Sequence, residues 1–144
     1  MIGLQGSGKS EYCRRFLPNH VRVNLDTLRT RNNERRLLDE CFAGEEDIVV
    51  DITNPTKADR ARYIKPAKEH GYHIIGVFME SKLQECIKRN NLREGKERIE
   101  AKAIAATSNK LEMPNYSEGF DELFFVHNDG VTMVKALWGE TNDI

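Results

Sequence analysis

Short apolar runs alternate with stretches of helical spacing along the chain. Runs rich in β-branched residues predict four strands, at 21–25, 47–51, 73–79 and 122–126. Between them, apolar positions three and four residues apart predict helices at 9–16, 34–42, 57–70 and 82–92. This alternation indicates crossover units, in which a parallel sheet lies between two layers of helices. Such sheets bind ligands at the carboxyl ends of their strands, so we look for chemistry there.

Two segments fit this alternation less well. Residues 93–112 are charged and alanine-rich without the apolar density of a core helix, which predicts either a mobile lid or a plain surface helix. The stretch VTMVKALW at 131–138 predicts a helix that packs on the sheet. No repeat or linker divides the 144 residues, so we predict one α/β domain with a lid at about 93–118.

Composition narrows the classes of function. A formal net charge of -1 gives no global positive field, so nucleic-acid binding would need a local basic patch. No apolar run approaches the length of about eighteen residues that a membrane span needs, and we predict a cytoplasmic protein with no membrane partner. The three cysteines form no CxxC pair, and we expect buried free thiols.

The clearest motif lies at the N-terminus. Residues 3–10 read GLQGSGKS and match the phosphate-binding pattern GxxxxGK[ST], also called Walker A. Glycines let successive backbone N–H groups approach phosphate oxygens at the start of a helix. Lys9 is then expected to reach the β- and γ-phosphates of ATP, and Ser10 to bind Mg²⁺. The remaining predicted nucleotide contacts are Gly3, Gln5, Gly6, Ser7 and Gly8.

A strand normally leads into such a loop, yet only Met1 and Ile2 precede Gly3. The strand is either very short or begins ahead of Met1. We favour the second alternative and expect the first strand of the sheet to be truncated.

Two aspartates follow predicted strands. Asp26 comes after VRVNL and Asp51 after DIVV, so both are expected beside a nucleotide held by the loop. Phosphoryl transfer to a hydroxyl uses a metal on the phosphates and a carboxylate that accepts the hydroxyl proton. We assign Asp51 to the metal and Asp26 to the general base, although an aspartate in this position is often only a helix cap.

Several segments together resemble a known family. GLQGSGKS is followed by VNLDTLR at 23–29, DITNPTKADRARY at 51–63, KRNNLRE at 88–94 and PNYSEGF at 114–120. In this order and spacing they resemble the kinase module of polynucleotide 5'-hydroxyl kinases. The resemblance implies a phosphate-loop kinase fold with about five parallel strands, and ATP and Mg²⁺ as cofactors.

The resemblance also implies roles for single residues. Arg93 would be a lid arginine on the phosphates, and Arg29 would contact the phosphate of the acceptor. Thr53 and Asn54 would lie beside the acceptor. Ile52 stands where many members are polar, so one contact to the acceptor differs here.

The sequence leaves three functions open. The first is a kinase for the 5'-hydroxyl of DNA or RNA, with a groove formed by basic residues drawn from Arg60, Arg62, Lys88, Arg89, Arg93, Lys96 and Arg98. The second is a kinase whose acceptor is a nucleoside, sugar or other metabolite. The third is an ATPase switch without a separate acceptor.

Overall fold

The computed structural model describes residues 1–95 and 98–139. Its strands are β1 (Val21–Val23), β2 (Ile48–Val50), β3 (Ile75–Met79), β4 (Glu122–Asn128) and β5 (Met133–Leu137). Its helices are α1 (Lys9–Phe16), α2 (Leu25–Leu28), α3 (Arg31–Ala43), α4 (Lys57–Glu69), α5 (Leu83–Asn91) and α6 (Ala101–Lys110), and a 3₁₀ turn spans Tyr116–Glu118. The four predicted strands and four predicted helices are therefore confirmed, with ends that shift by at most three residues.

Residues 1–3 form the central position of the sheet. β1 pairs with β2 and β3 pairs with β4, all in parallel, and β5 adds to β4 in antiparallel orientation. The N-terminal segment joins the two parts, because the Met1 nitrogen donates to Val50 O at 3.0 Å and Ile2 forms a parallel bridge with Phe78. The order across the sheet is β1, β2, residues 1–3, β3, β4, β5, which is the predicted α/β architecture with a first strand of minimal length.

Helices cover both faces of this sheet. On one face, Tyr12 of α1 packs with Val77, Met79 and Val126. On the other, Ile64 of α4 packs with a cluster that includes Ile2, Phe78, Phe120 and Leu123. Alternate residues of β3 thus point to opposite helical layers, as a buried parallel strand requires.

The predicted helix at 131–138 is wrong, because this segment forms β5. The sequence 128–130 is Asn-Asp-Gly, and the Asp129 carboxylate accepts hydrogen bonds from the backbone N–H groups of Val131 and Thr132. This turn returns the chain antiparallel to β4, and β-branched residues then favour an extended edge strand. Trp138 still packs on the sheet, edge-on to Phe78 at 5.5 Å between ring centroids.

The segment predicted as a lid contains α6. Ile104 of α6 is fully buried against Leu4 and Cys86, so this helix contributes to the core. Lys96 and Glu97 lie outside the described residues. Movement of the segment stays a prediction.

In the described parts of the chain, no helix is both long and apolar enough to span a bilayer. Cys13, Cys41 and Cys86 are buried free thiols, as expected.

Arg60 is an internal anchor and is not part of an exposed basic groove. It is 2% exposed, forms two hydrogen bonds with the Glu118 carboxylate at 2.8 and 3.2 Å, and donates to the carbonyls of Asn54 and Glu112. It therefore fixes the loop after β2 to the segment before β4.

Replacing this anchor is expected to destabilise the fold. Arg60→Leu leaves Glu118 buried without its partner, which should lower the free energy of unfolding by about 3–5 kcal/mol. Arg62→Leu, at an exposed position of the same helix, should change it by less than about 0.5 kcal/mol. Urea unfolding followed by circular dichroism measures both, and equal stability of the two variants would contradict the assignment.

Candidate active site

The glycine loop is held tightly against its surroundings. Gly6 and Gly8 adopt φ angles of 83° and 100°, which favour glycine. A Cβ at Gly6 would overlap the carbonyl oxygen of Cys86, and one at Gly8 would overlap the side-chain amide of Asn128. Both positions therefore require glycine for their conformation and for space. The loop ends at α1, whose first N–H groups and helix dipole favour an anion.

Two side chains that the sequence analysis did not assign to the loop support it from behind. Arg89 Nη1 donates to Gly6 O at 3.1 Å, and Asn128 Nδ2 donates to Ser7 O at 3.0 Å. Arg89 Nη2 also donates to Asn128 O at 2.7 Å, which links the two. These hydrogen bonds satisfy the carbonyl oxygens of Gly6 and Ser7. Arg89 thus supports the loop, and its predicted place in a basic groove stays a prediction.

The sequence offered only partial signals for this support. Arg89 lies within the KRNNLRE segment, but its charge suggested a solvent-facing role. Asn128 is the last residue of β4, two residues beyond the predicted end of that strand. Its place at a carboxyl strand end was the available signal.

Lys9 is buried beside the loop. Its Nζ donates to Leu4 O at 2.7 Å. Burial lowers the pKa of Lys9 to about 8, the nearby Asp51 carboxylate opposes this fall, and the charge of Arg93 adds to it. Lys9 is therefore a desolvated cation close to Asp51 and Arg93. Its protonated amine would attract a phosphate strongly, because little water screens the charge.

Ser10 and Asp51 meet as the sequence predicts. The Ser10 hydroxyl donates to Asp51 Oδ2 at 2.8 Å, and the Asp51 side chain is 1% exposed. Hydroxyl and carboxylate oxygens are donors that Mg²⁺ prefers, and Mg²⁺ commonly uses one or two protein oxygens together with phosphates and waters. The Ser10 hydroxyl and the Asp51 carboxylate fit this pattern. The described residues contain no cluster of three or more His, Cys, Asp or Glu that suits a metal.

Asp26 and Arg29 lie on the short helix α2, directly after β1. The Asn24 side chain caps this helix and donates through Nδ2 to Asp51 O at 2.8 Å, so α2 is tied to the end of β2. Asp26 is exposed in the first turn of α2. Arg29 is exposed and ends the helix with φ 73°, a left-handed conformation that is costly for a residue with a side chain. Their predicted roles as base and acceptor contact stay predictions.

Thr53 and Asn54 lie where the loop after β2 meets the glycine loop. Thr53 O accepts a hydrogen bond from Gly3 N at 3.0 Å. Asn54 Nδ2 donates to Met1 O at 3.1 Å, while its buried Oδ1 has no hydrogen-bond partner among the described residues. A buried amide oxygen without a partner is costly and suits a ligand that donates a hydrogen bond.

A small cleft of about 210 Å³ opens beside these two residues. Three cations from three different helices, Arg31, Arg62 and Lys110, and one carboxylate, Asp59, line it, and we call it the basic cleft. Its lining also includes Leu25, Thr53, Asn54 and Thr107. It adjoins the glycine loop, because Gln5 Nε2 donates at 3.2 Å to the hydroxyl of Thr107, which also lines the cleft.

The three cations of the basic cleft differ in their partners. Arg31 uses only Nη1 internally, toward Glu34 and the Tyr63 hydroxyl. Arg62 and Lys110 have no ion pair within the part of the chain that the structure describes. The sequence analysis had placed Arg62 in a basic groove but missed Arg31 and Lys110.

A second, larger cavity of about 600 Å³ lies at the opposite ends of the strands, between the amino ends of β2 and β3. Its lining includes apolar residues such as Ile48, Ile75 and Val77. Size alone would favour it as a binding site, but the loop, Ser10 and Asp26 lie at the carboxyl ends of the strands. We therefore place the site at the basic cleft and the glycine loop.

The lowered pKa of Lys9 predicts pH-dependent nucleotide binding. Because protonated Lys9 attracts phosphate, its deprotonation should weaken ADP binding as the pH rises through about 8, by up to about tenfold per pH unit. Titration of fluorescent ADP between about pH 7 and about pH 9.5 measures this. Lys9→Met should bind weakly and without this pH dependence; the same fall with pH in Lys9→Met would contradict the assignment.

Comparison with known proteins agrees with this geometry. The model of the AAA domain family matches residues 1–114. A bifunctional polynucleotide phosphatase/kinase from Schizosaccharomyces pombe (strain 972 / ATCC 24843) is 27% identical over 126 residues, which cover 83% of this chain and 31% of that protein. The chain thus spans about a third of the length of this relative.

Among solved structures, a gluconokinase from Sinorhizobium meliloti 1021 has a similar fold. The TM-score is 0.56 at 18% identity, over 88% of this chain and 79% of the gluconokinase chain. The family match covers well over half of the 144 residues and includes the whole glycine loop. The chain therefore belongs to the AAA domain family, and its fold is that of a phosphate-loop kinase domain.

Proposed function

We propose that this protein is an ATP-dependent phosphotransferase that transfers the γ-phosphate of ATP to the 5'-hydroxyl of DNA or RNA. The observation that carries the proposal is the basic cleft beside the glycine loop. A chain with a formal net charge of -1 places three cations there, next to the loop residues Thr53 and Asn54. A nucleic-acid end brings phosphates to the place where its hydroxyl must react, and such a cleft compensates their charge.

On the donor side, the glycine loop and Lys9 hold the phosphates of ATP. Mg²⁺, when bound at Ser10 and Asp51, supplies charge neutralisation on the terminal phosphates. Arg93 follows α5, and its charge is close enough to Lys9 to lower the pKa of that lysine. We assign Arg93 to the phosphates, where it would stabilise charge that develops during transfer.

On the acceptor side, Asp26 is the general base. It lies in the first turn of α2, next to Leu25 of the basic cleft. We propose that it accepts the proton of the attacking hydroxyl as the bond to the γ-phosphorus forms and the bond to the leaving ADP breaks. Arg29, Thr53 and Asn54 orient the acceptor.

The relative from S. pombe is named a polynucleotide phosphatase/kinase and is 27% identical over the matched residues. This name supports a nucleic-acid acceptor. The second candidate is a small-molecule acceptor such as a nucleoside or sugar. It is favoured by the cleft volume of about 210 Å³ and by the gluconokinase fold. The third candidate is an ATPase without a separate acceptor. For all three candidates we propose that the protein is cytoplasmic.

Removal of the proposed base should separate binding from chemistry. Asp26→Asn should lower the transfer rate by about 10²- to 10⁴-fold, because the carboxylate that accepts the proton is lost while the loop is intact. The affinity for ADP should stay within about twofold, because Asp26 belongs to α2 and not to the glycine loop. Asp39→Asn, at an exposed position of α3, is the matched control. Wild-type transfer by Asp26→Asn would exclude Asp26 as the base.

The charge of the basic cleft distinguishes the two acceptor classes. For a 5'-hydroxyl oligonucleotide, the double variant Arg62→Gln/Lys110→Gln should raise KM several-fold and reduce the slope of log KM against log salt by about 1 to 2. For a neutral nucleoside, KM should hardly change. Lys102→Gln, on the same helix as Lys110, is the control. An unchanged oligonucleotide KM and salt slope would remove the cleft from acceptor binding.

A further inference from the structure

Arg22 of β1 contacts both members of the predicted magnesium pair. Its Nε donates to Asp51 Oδ2 at 2.7 Å, and its Nη2 donates to the Ser10 hydroxyl at 3.2 Å. The Ser10 hydroxyl itself donates to the same carboxylate oxygen at 2.8 Å. A single guanidinium therefore bridges the two oxygens to which the metal is assigned.

Asp51 needs a counter-charge because its side chain is 1% exposed. Lys9 is close enough to feel this carboxylate, but its Nζ is hydrogen-bonded to Leu4 O. Among the residues that the structure describes, Arg22 is the only cation in an ion pair with Asp51. Arg22 thus compensates the charge of the buried Asp51 carboxylate.

The guanidinium and a divalent cation compete for the same position. Mg²⁺ binds oxygen at about 2.0–2.1 Å and requires nearly octahedral geometry. The N–H groups of the Arg22 guanidinium already donate hydrogen bonds to the same two oxygens. Two cations on one pair of oxygens also repel each other. The side chain of Arg22 is 43% exposed at the edge of the sheet, so it has solvent beside it into which it can withdraw.

We propose that Arg22 is an internal counter-cation that occupies the magnesium position of the resting protein and is displaced when a magnesium nucleotide binds. The exchange stabilises the nucleotide-free site, and it raises the Mg²⁺ concentration that nucleotide binding requires. The inference rests on the proposed donor site, but it does not depend on the identity of the acceptor.

The test measures metal dependence without catalysis. Fluorescent ADP is held at a fixed concentration, and Mg²⁺ is titrated to obtain the concentration for half-maximal binding. Arg22→Gln should lower this midpoint by roughly three- to tenfold, because the metal no longer displaces a cation from a partly exposed pair. Arg15→Gln is the matched control: this arginine also pairs with a carboxylate, Glu11, but has no contact with Asp51, and its midpoint should equal that of the wild type.

Arg22→Lys tests the same point if the Gln variant does not fold. A lysine keeps the charge but cannot bridge two oxygens as a planar fork, so its midpoint should fall between those of wild type and Arg22→Gln, below the wild type. An unchanged or higher midpoint in the folded Arg22 variants would overturn the inference, because Arg22 would then be neutral toward the metal or would help to position its ligands.

The proposed donor site and the proposed role of Arg22 can be tested separately. If wild-type protein binds no nucleotide at any Mg²⁺ concentration, the donor site and this inference are both overturned. If nucleotide binds normally and the midpoint does not respond to Arg22, only this inference is overturned. Failure to phosphorylate an oligonucleotide affects only the proposed acceptor.

Discussion

The close approach of the glycine loop to Cys86 and Asn128 is the constraint on which the catalytic end of the molecule depends. Neither Gly6 nor Gly8 has room for a Cβ, and Arg89 and Asn128 satisfy the carbonyls of Gly6 and Ser7. The loop conformation is therefore set by α5 and β4 before any ligand arrives. A preformed loop loses little conformational entropy on binding, which favours tight capture of phosphate.

Buried charge is the second organising feature. Lys9 and Asp51 are both removed from water, and each depends on neighbours for compensation. Lys9 has a carbonyl partner and a pKa of about 8, while Asp51 has the Ser10 hydroxyl and Arg22. These partners offset part of the cost of burying each charge.

Much of this arrangement follows from the sequence. The loop motif predicts α1, and the period of the apolar positions predicts the strands. Together they predict that Ser10 and Asp51 lie close to each other at the carboxyl ends of these strands. These features depend on local spacing and on a topology that parallel crossovers fix. The wrong prediction of a helix at β5 also has a local cause. The apolar content of the segment favours a helix, whereas the Asn-Asp-Gly turn before it favours a hairpin.

Other features depend on contacts between distant segments, which spacing does not report. Arg60 and Arg62 look equivalent in the sequence, yet one is a buried anchor and the other is exposed at the basic cleft. Arg22 reaches Asp51 across 29 residues of sequence, and Asn128 reaches Ser7 across 121. Only the folded chain shows which charged side chains support the loop and which line the basic cleft.

The most direct test of the account is a transfer assay with ATP labelled at the γ-phosphate. The acceptors are 5'-hydroxyl DNA, 5'-hydroxyl RNA, a nucleoside and gluconate, and each product is identified by mass. We expect label covalently attached to the 5' end of an oligonucleotide, in preference to the nucleoside and gluconate. Label confined to gluconate or the nucleoside would contradict the nucleic-acid acceptor, and free phosphate as the only labelled product would contradict the kinase.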